Sequence, residues 1–147
     1  MDREHLSQIL RDMLASQTLA VLSTRGVDFP HASLVSFAAG ADLRTLVFAT
    51  LRTTRKYANI ARNPRVALTV DDRCATGADP RQTIVVTATG VAQEVPAQKR
   101  EFWQNVYLAR HPSLREFVAS PDCALIAVAV KSYDIITDLQ TVSVLSF

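Results

Sequence analysis

A short segment that follows an apolar run combines hydroxyl and cationic side chains in a pattern typical of a phosphate site. The segment contains, in order, Thr50, Thr53, Thr54, Arg55 and Lys56. Thr53 or Thr54 can cap a helix, whose first backbone N–H groups attract anions. Arg55 and Lys56 then occupy the positive end of the helix dipole, where acidic residues are normally favoured. This predicts a bound anion, although solvated cations on a short surface helix explain the same residues.

The charge distribution along the chain favours the same interpretation. The net charge of +2 is too small to indicate a nucleic-acid-binding protein. Between Asp42 and Asp71, however, there is no acidic residue, and the cations in that interval are Arg44, Arg52, Arg55, Lys56, Arg62 and Arg65. An uncompensated cationic interval in an otherwise balanced chain indicates a site for a small anion.

The elements that must position this segment are mostly strands. Hydrophobic periodicity predicts helices over 3–16, from Thr53 or Thr54 to about Asn63, from Pro96, and from Pro112. Alternating or β-branched runs predict strands over 18–24, 30–37, 45–50, 66–70, 83–95, 124–136 and 141–147, with Gly90 at a bulge or bend. The expected fold is a mainly β protein, a six- to seven-stranded antiparallel barrel with flanking helices, in one domain over residues 1–147.

Composition places the chain among ordinary globular proteins. Hydrophobic residues make up 48% and charged residues 20%, and an apolar run such as Ala124–Val130 is too short to span a bilayer. Because the N-terminus also lacks a signal-peptide pattern, we expect a cytoplasmic protein that does not associate with membranes. Cys74 and Cys123 are isolated, which favours two reduced thiols and no disulfide or metal site.

The phosphate segment resembles the stretch by which the pyridoxamine 5′-phosphate oxidase superfamily is known. The matching motifs are Val47–Thr50, Thr54–Lys56 and Asn63–Leu68. The upstream Pro30–Ser36 and the downstream Gly90–Val95 fall where the family has its flavin-contacting strand and its Gly-x-Ala strand. The resemblance is good over residues 18 to 95 and extends to the rest of the chain in layout alone.

This resemblance implies a split β-barrel that forms a homodimer with two flavin mononucleotides (FMN) in clefts shared between the subunits. By position, Arg55 and Lys56 would hold the phosphate, and Thr50 and Thr54 would donate hydrogen bonds to phosphate or ribityl oxygens. The remaining cofactor-binding positions that it implies are Ser33, Leu34, Val35, Ser36 and Ala49. A dimer is also expected because the apolar runs Ala124–Val130 and Val142–Phe147 exceed what one small barrel needs to bury.

The chain departs from the true oxidases at positions that matter for activity. Where those enzymes have an Arg and a Lys on the flavin-contacting strand, this sequence has His31 and Ser36. Their C-terminal Trp and Arg are not recognisable in Lys131–Phe147, and Trp103 lies in a predicted helix, where it is interpreted as a packing residue. The resemblance is therefore to the smaller flavin-binding members, and vitamin B6 oxidation is not expected.

Three functions agree with these residues. The first is an FMN-dependent oxidoreductase acting on an unidentified small molecule, and the second is a non-enzymatic flavin- or haem-binding or storage protein. The third, a barrel that has lost its cofactor, is disfavoured by the intact phosphate segment. No dinucleotide fingerprint is present, which favours FMN over the adenine dinucleotide, while haem or a deazaflavin remains an alternative.

Two further features have open interpretations. His31 is either a partly exposed residue at the start of a strand, which we favour, or a base or haem ligand. The sequence Asp71-Asp72-Arg73 either orients a ligand or closes the dimer, or it belongs to a solvated loop that extends to Pro80.

Overall fold

The computed structural model describes residues 2–73, 79 and 81–147 of the chain. In these residues the helices and strands are, in chain order, α1 (Arg3–Ser16), β1 (Leu19–Arg25), β2 (Pro30–Ala39), β3 (Thr45–Leu51), α2 (Arg55–Arg62), β4 (Arg65–Asp71), β5 (Val85–Glu94), α3 (Ala97–Arg110), α4 (Arg115–Ala119), β6 (Cys123–Thr137) and β7 (Thr141–Ser146). A short 3₁₀ helix, Pro112–Leu114, precedes α4. The predicted order of elements is confirmed, with ends that shift by a few residues. Pro96 is the N-cap of α3 and does not lie in its first turn.

The strands form a closed antiparallel barrel. Strand β1 pairs with β2 and β4, β4 pairs with β5, and β5 pairs with β6. Strand β3 pairs with both β2 and β6, which closes a ring of six strands. The seventh strand, β7, pairs with β6 and lies outside this ring. The mainly β, antiparallel split barrel expected from the sequence is therefore confirmed.

Helix α1 contributes its apolar face to the main core. Asp2 caps the helix by accepting a hydrogen bond from the backbone N–H of His5 at 2.8 Å. The residues that recur at helical spacing, Leu6, Leu10, Met13 and Leu14, are buried. They join the inward-facing strand residues of the barrel in a single core cluster. The predicted amphipathic helix over residues 3–16 is thus correct in both its bounds and its buried face.

Strands β5 and β6 change register at a bulge. Thr89 pairs with Ser132 and Gly90 pairs with Val130, so Lys131 is the additional residue. As a consequence Lys131 and Ser132 both face the outside of the barrel, since a bulge places two neighbouring residues on one side. A Cβ atom at Gly90 would collide with the carbonyl oxygen of Ala129. The bulge predicted at Gly90 is present because only a glycine allows this approach of the two backbones.

The outer surface of the barrel has two halves with different cover. In the covered half, Ala38, Val47 and Leu125 are fully buried beneath residues of α3 and α4, among them Tyr107 and Val118. In the open half, one row of outward residues crosses the strands, and it consists of Leu34, Val21, Thr69, Thr87, Asp134 and Val144. Leu34 and Val144 in this row are 67% and 56% exposed.

The strand β6 passes from one half to the other. Its first residues, from Cys123 to Ile126, are buried on both faces, whereas its later residues alternate between buried and exposed. The apolar run Ala124–Val130 is therefore covered largely within the chain, and Val142 and Val144 of β7 carry the exposed apolar surface.

Three further expectations from the sequence concern the cysteines, the loop over residues 71–80 and membrane-spanning segments. Cys123 is a buried free thiol, and burial raises its pKa. Cys74 and most of the loop predicted over residues 71–80, including Gly77, lie outside the described residues. Among the helices that the structure describes, each is too short or too polar to cross a bilayer.

Candidate functional site

The barrel is split between β2 and β3. These strands pair only at Phe37–Phe48, Ala38–Val47 and Ala39–Leu46. From Leu46 onward β3 continues along β6 as far as Leu51, while β2 continues along β1. In the described part of the chain, no strand pairs with the β3-facing edge of β2 before Phe37. The split leaves backbone donors and acceptors of β2 available to a ligand.

The direction of each peptide group of β2 follows from its pairing. The N–H of Phe37 donates to the carbonyl of Thr18, on the β1 side. Because the groups of an antiparallel strand alternate, the N–H and C=O groups of Ala32, Leu34 and Ser36 point into the split. The backbone positions of the predicted flavin-contacting segment therefore include donors and acceptors that face the opening.

The side chains of that segment point in three directions. Val35 belongs to the barrel core, and the hydroxyl oxygen of Ser33 is buried without a hydrogen-bond partner. Leu34 is exposed on the open half. The hydroxyl of Ser36 lies beside that of Tyr107, which also contacts the backbone of Ala49. Burial raises the pKa of Tyr107 to about 12. At this end α3 fills the split, so the accessible part of β2 lies nearer to His31.

The threonines at the end of β3 fix the start of α2. Thr54 is the N-cap, and its hydroxyl oxygen accepts a hydrogen bond from the N–H of Tyr57 at 3.3 Å. The hydroxyl oxygens of Thr50 and Thr54 are 2.6 Å apart, and each hydroxyl lies within hydrogen-bonding distance of the carbonyl of Leu51. The structure therefore shows these hydroxyls holding the turn. Their predicted contact with a phosphate stays a prediction.

The first turn of α2 contains two cations and no acidic residue. Arg55 is exposed and Lys56 is half-buried. Within the described residues, neither side chain forms a hydrogen bond or an ion pair, and both stand at the positive end of the helix dipole. Two unpartnered cations beside free helix N–H groups are the arrangement that binds a phosphate.

Arg52 has a different role, although it lies only three residues before Arg55. It donates to a carboxylate oxygen of Glu94 at 2.6 Å and to the carbonyls of Pro121 and Cys123 at 2.8 and 3.3 Å. The hydroxyl of Tyr57 donates to the other oxygen of Glu94 at 2.8 Å. These contacts connect the end of β3 and the first turn of α2 to β5 and to the start of β6.

The Arg52–Glu94–Tyr57 cluster also shifts the ionisation of its members. The hydrogen bond from Arg52 holds the pKa of Glu94 below its ordinary value against the opposing effect of burial. The hydrogen bond to Glu94 raises the pKa of Tyr57. Sequence reasoning did not find this cluster, because Arg52 and Glu94 are 42 residues apart and no local motif connects them.

A cavity of about 410 Å³ lies beside Arg55. It is lined by the β1–β2 turn, by His31, and by Arg55, Asn59 and Arg62 of α2. Arg62 donates to Asn59 and to the carbonyl of Arg25, whereas Arg55 remains unpartnered within the described chain. His31 is half-buried near the start of β2, as the partly exposed histidine expected from the sequence. Its Nδ1 atom is buried and has no hydrogen-bond partner among the described residues.

Two other features singled out in the sequence have structural roles. The Trp103 ring packs over Gly40 and forms an edge-to-face pair with Phe102, as the packing interpretation predicts. Asp71 forms an ion pair with Arg73 at 3.2 Å, and the side chain of Asp72 accepts a hydrogen bond from the N–H of Ile84 at 2.8 Å. The hydrogen bond between Asp72 and Ile84 joins the two ends of the loop between β4 and β5.

The chain is thus a split barrel with an open edge on β2, and Arg55 at the cationic start of α2 shares a cavity with His31 of that strand. The sequence profile of the pyridoxamine 5′-phosphate oxidase family matches residues 6–136 of the chain. The chain belongs to this family. A search of curated proteins found no match.

Solved structures share the fold at low sequence identity. A heme binding protein from Mycobacterium smegmatis has a TM-score of 0.83 and 18% identity, and the match covers 92% of this chain and 55% of that protein's chain. General Stress Protein 26 from Bacillus anthracis has a TM-score of 0.72 and 22% identity, covering 97% and 99% of the two chains. A FAD-binding protein from Mesorhizobium loti has a TM-score of 0.70 and 14% identity, covering 86% and 89%. This chain therefore spans little more than half of the mycobacterial protein.

Proposed function

We propose that this protein binds FMN at the split between β2 and β3 and is a flavin-dependent oxidoreductase that acts on a small molecule. The observation that carries the proposal is the pair of cations in the first turn of α2, Arg55 and Lys56, which have no partner among the described residues. Arg55 lines a cavity together with Pro30 and His31 of β2. A phosphate requires cations and N–H donors, and a flavin ring requires backbone groups next to an apolar wall. The split brings these requirements together within one short stretch of the fold.

The residues present fit such a group. The peptide groups of Ala32 and Leu34 face the accessible part of the split, where they are suited to the polar edge of a flavin ring. The buried Nδ1 of His31 has no partner among the described residues, and His31 lines the same cavity as Arg55. A buried polar atom without a partner is costly, so a ligand that supplies one is favoured.

Each part of the site has a defined task in this proposal. Arg55 and Lys56 bind the phosphate dianion, and the Thr50–Thr54 hydroxyl pair keeps the helix start in place. Arg52 and Glu94 hold that helix start against the barrel. When bound, FMN supplies the redox chemistry, while the chain contributes binding, orientation and electrostatics.

We also propose a homodimer that forms through the open half of the barrel. Leu34 and Val144 are exposed in a row of mostly small or β-branched side chains, which is typical of a self-complementary sheet face. Leu34 also borders the split, so the partner subunit would contribute one wall of the cofactor cleft. The dimer and the cofactor site would then depend on each other.

The experiment is a titration of purified, cofactor-stripped protein with FMN, monitored by flavin fluorescence and followed by spectroscopy of the reconstituted protein. The proposal expects saturable quenching at micromolar protein, one flavin per chain, and a yellow product. Absence of saturable quenching overturns it. Oxidoreductase activity is then tested by reducing the bound flavin with NADH or NADPH under anaerobic conditions and following its bleaching.

Non-enzymatic haem or flavin binding is the second candidate. It is favoured by His31, a half-buried histidine that lines the cavity beside Arg55, since histidine is a common ligand of metals such as haem iron, and by the fold shared with a heme binding protein. The same preparation titrated with hemin distinguishes the two. A Soret band that is lost in His31→Ala, together with no FMN quenching, selects the haem candidate.

A further inference from the structure

A second cavity, on the open half of the barrel, combines cations with an apolar floor. Its volume is about 410 Å³, and it lies where β1, β4, β5 and β6 run side by side. Arg25, Arg65 and Lys131 line it together with Ser23, Thr24 and Thr89. The apolar lining is formed by Pro30, Val66, Ala67 and Val91. Pro30 also borders the cavity beside Arg55, so the β1–β2 turn separates the two cavities.

The three cations lack counter-charges. None of the described residues that line the cavity is acidic. No hydrogen bond or ion pair within the described chain involves the side chains of Arg25, Arg65 or Lys131. Three like charges around one concavity repel each other, and an anion bound between them relieves that repulsion.

The backbone is shaped to place one of these cations. Lys131 is the additional residue of the β5–β6 bulge and therefore faces outward next to Ser132. The bulge depends on Gly90, which itself lines the cavity and where a Cβ atom would collide with Ala129. Bulges that redirect a side chain are over-represented next to ligand sites.

The geometry points to a binding site for a small-molecule dianion, phosphorylated or dicarboxylated, that carries an apolar portion. Arg25, Arg65 and Lys131 bind the charged group, and Ala67 and Val91 contact the apolar portion. The volume is that of a small-ligand pocket. The site is separate from the phosphate-binding segment at Arg55 and Lys56, and its existence does not rest on flavin binding.

The test uses the full chain, with phenyl phosphate and inorganic phosphate as probes in isothermal titration calorimetry. Phenyl phosphate should bind saturably and more tightly than inorganic phosphate, because only the former reaches the apolar floor. The double variant Arg65→Met, Lys131→Met should have a dissociation constant for phenyl phosphate that is higher by about tenfold or more. Lys131→Arg should retain binding, and Lys99→Met, an exposed cation on α3, should leave it unchanged.

Three outcomes would overturn the inference. The first is that Lys99→Met weakens phenyl phosphate binding as much as the Arg65→Met, Lys131→Met double variant does, which indicates an effect of general surface charge. The second is loss of phenyl phosphate binding in Arg55→Ala with Lys56→Ala, which assigns the anion to the phosphate-binding segment. The third is loss of self-association in the Arg65–Lys131 pair, which shows that acidic residues of a second copy occupy the cavity. Flavin titration of the same variants reports separately on the proposed cofactor.

Discussion

The covered and open halves of the barrel use similar strands but differ in what lies over them. In the covered half, Leu125 and Val47 are buried beneath Tyr107 and Val118 of the same chain. In the open half, outward residues such as Leu34 remain exposed, and two cavities with unpartnered cations lie at or next to it. One half is stabilised by the chain itself, whereas the other leaves surface and charge available to ligands and a partner.

Substitutions in the two halves should therefore have different effects, one on the free energy of unfolding and the other on binding. Residues of the covered half have native partners, so substitution there lowers the free energy of unfolding. The cations of the open half and of the first turn of α2 have no partner in the described chain, so their removal should cost binding and little stability. Four variants test this division, in order of decreasing expected effect.

Replacing Arg55 and Lys56 together with alanine should give the largest change. We expect FMN affinity to fall by about a hundredfold or more, because each charge-assisted contact contributes roughly 1.5–3 kcal/mol. Riboflavin, which lacks the phosphate, should lose little affinity. Fluorescence titration with both ligands measures the difference, and Lys99→Ala with Arg115→Ala is the matched control. Equal weakening of both ligands would show that these cations act on the fold.

Leu125→Ala tests the covered half. The side chain is fully buried beneath α3 and α4, so its removal should lower the free energy of unfolding by about 2–5 kcal/mol. The dimer dissociation constant should not change. Urea denaturation measures the effect, and Val27→Ala, at a position of the β1–β2 turn that is 80% exposed, is the control with a change of about 0.5 kcal/mol or less. Similar losses at both positions would contradict the division into halves.

Leu34→Glu tests the open half. A buried, unpaired carboxylate at a self-complementary face disfavours association, so the dimer dissociation constant should rise by at least about tenfold. The control is Phe102→Glu, an exposed apolar residue of α3 that is 61% exposed and lies outside the open half. Sedimentation velocity over a dilution series measures both. If the two variants behave alike, the dimer does not form through this face.

Glu94→Gln should have the smallest effect. Glu94 and Arg52 are 35% and 37% exposed, and an ion pair of that kind contributes about 1 kcal/mol or less, so FMN affinity should fall by up to about fivefold. Because the folded-state pKa of Glu94 lies below its ordinary value, its contribution is present above the ordinary carboxylate pKa and is lost as pH falls through the folded value.

The pH dependence provides the control for this last variant. In thermal melts, the wild-type protein should lose stability as the pH falls through the folded-state pKa of Glu94. The Glu94→Gln variant should lose less stability over the same pH range, because the amide does not titrate. Identical pH profiles would show that the Arg52–Glu94–Tyr57 cluster does not position the helix start.

Sequence patterns were enough to predict the order of the elements and the cationic start of α2. Local signals were sufficient for this. Asp2 and Thr54 are N-caps where the sequence predicts helix starts, and helix α2 ends at Asn63 before Pro64. The bulge at Gly90 follows from a glycine within a strand pattern. These features depend on residues within a few positions of one another, where spacing alone constrains the backbone.

The tertiary structure was needed to show which outward residues are covered and which cations have partners. Arg52 and Arg55 look alike in the sequence, yet the fold brings Glu94 to Arg52 and brings no acidic partner to Arg55 in the described chain. Likewise Leu34 and Leu125 are both strand leucines, and only Leu125 is covered by α4. Such contacts join residues far apart in the chain. They depend on the pairing of β3 with β6, which no local sequence pattern encodes.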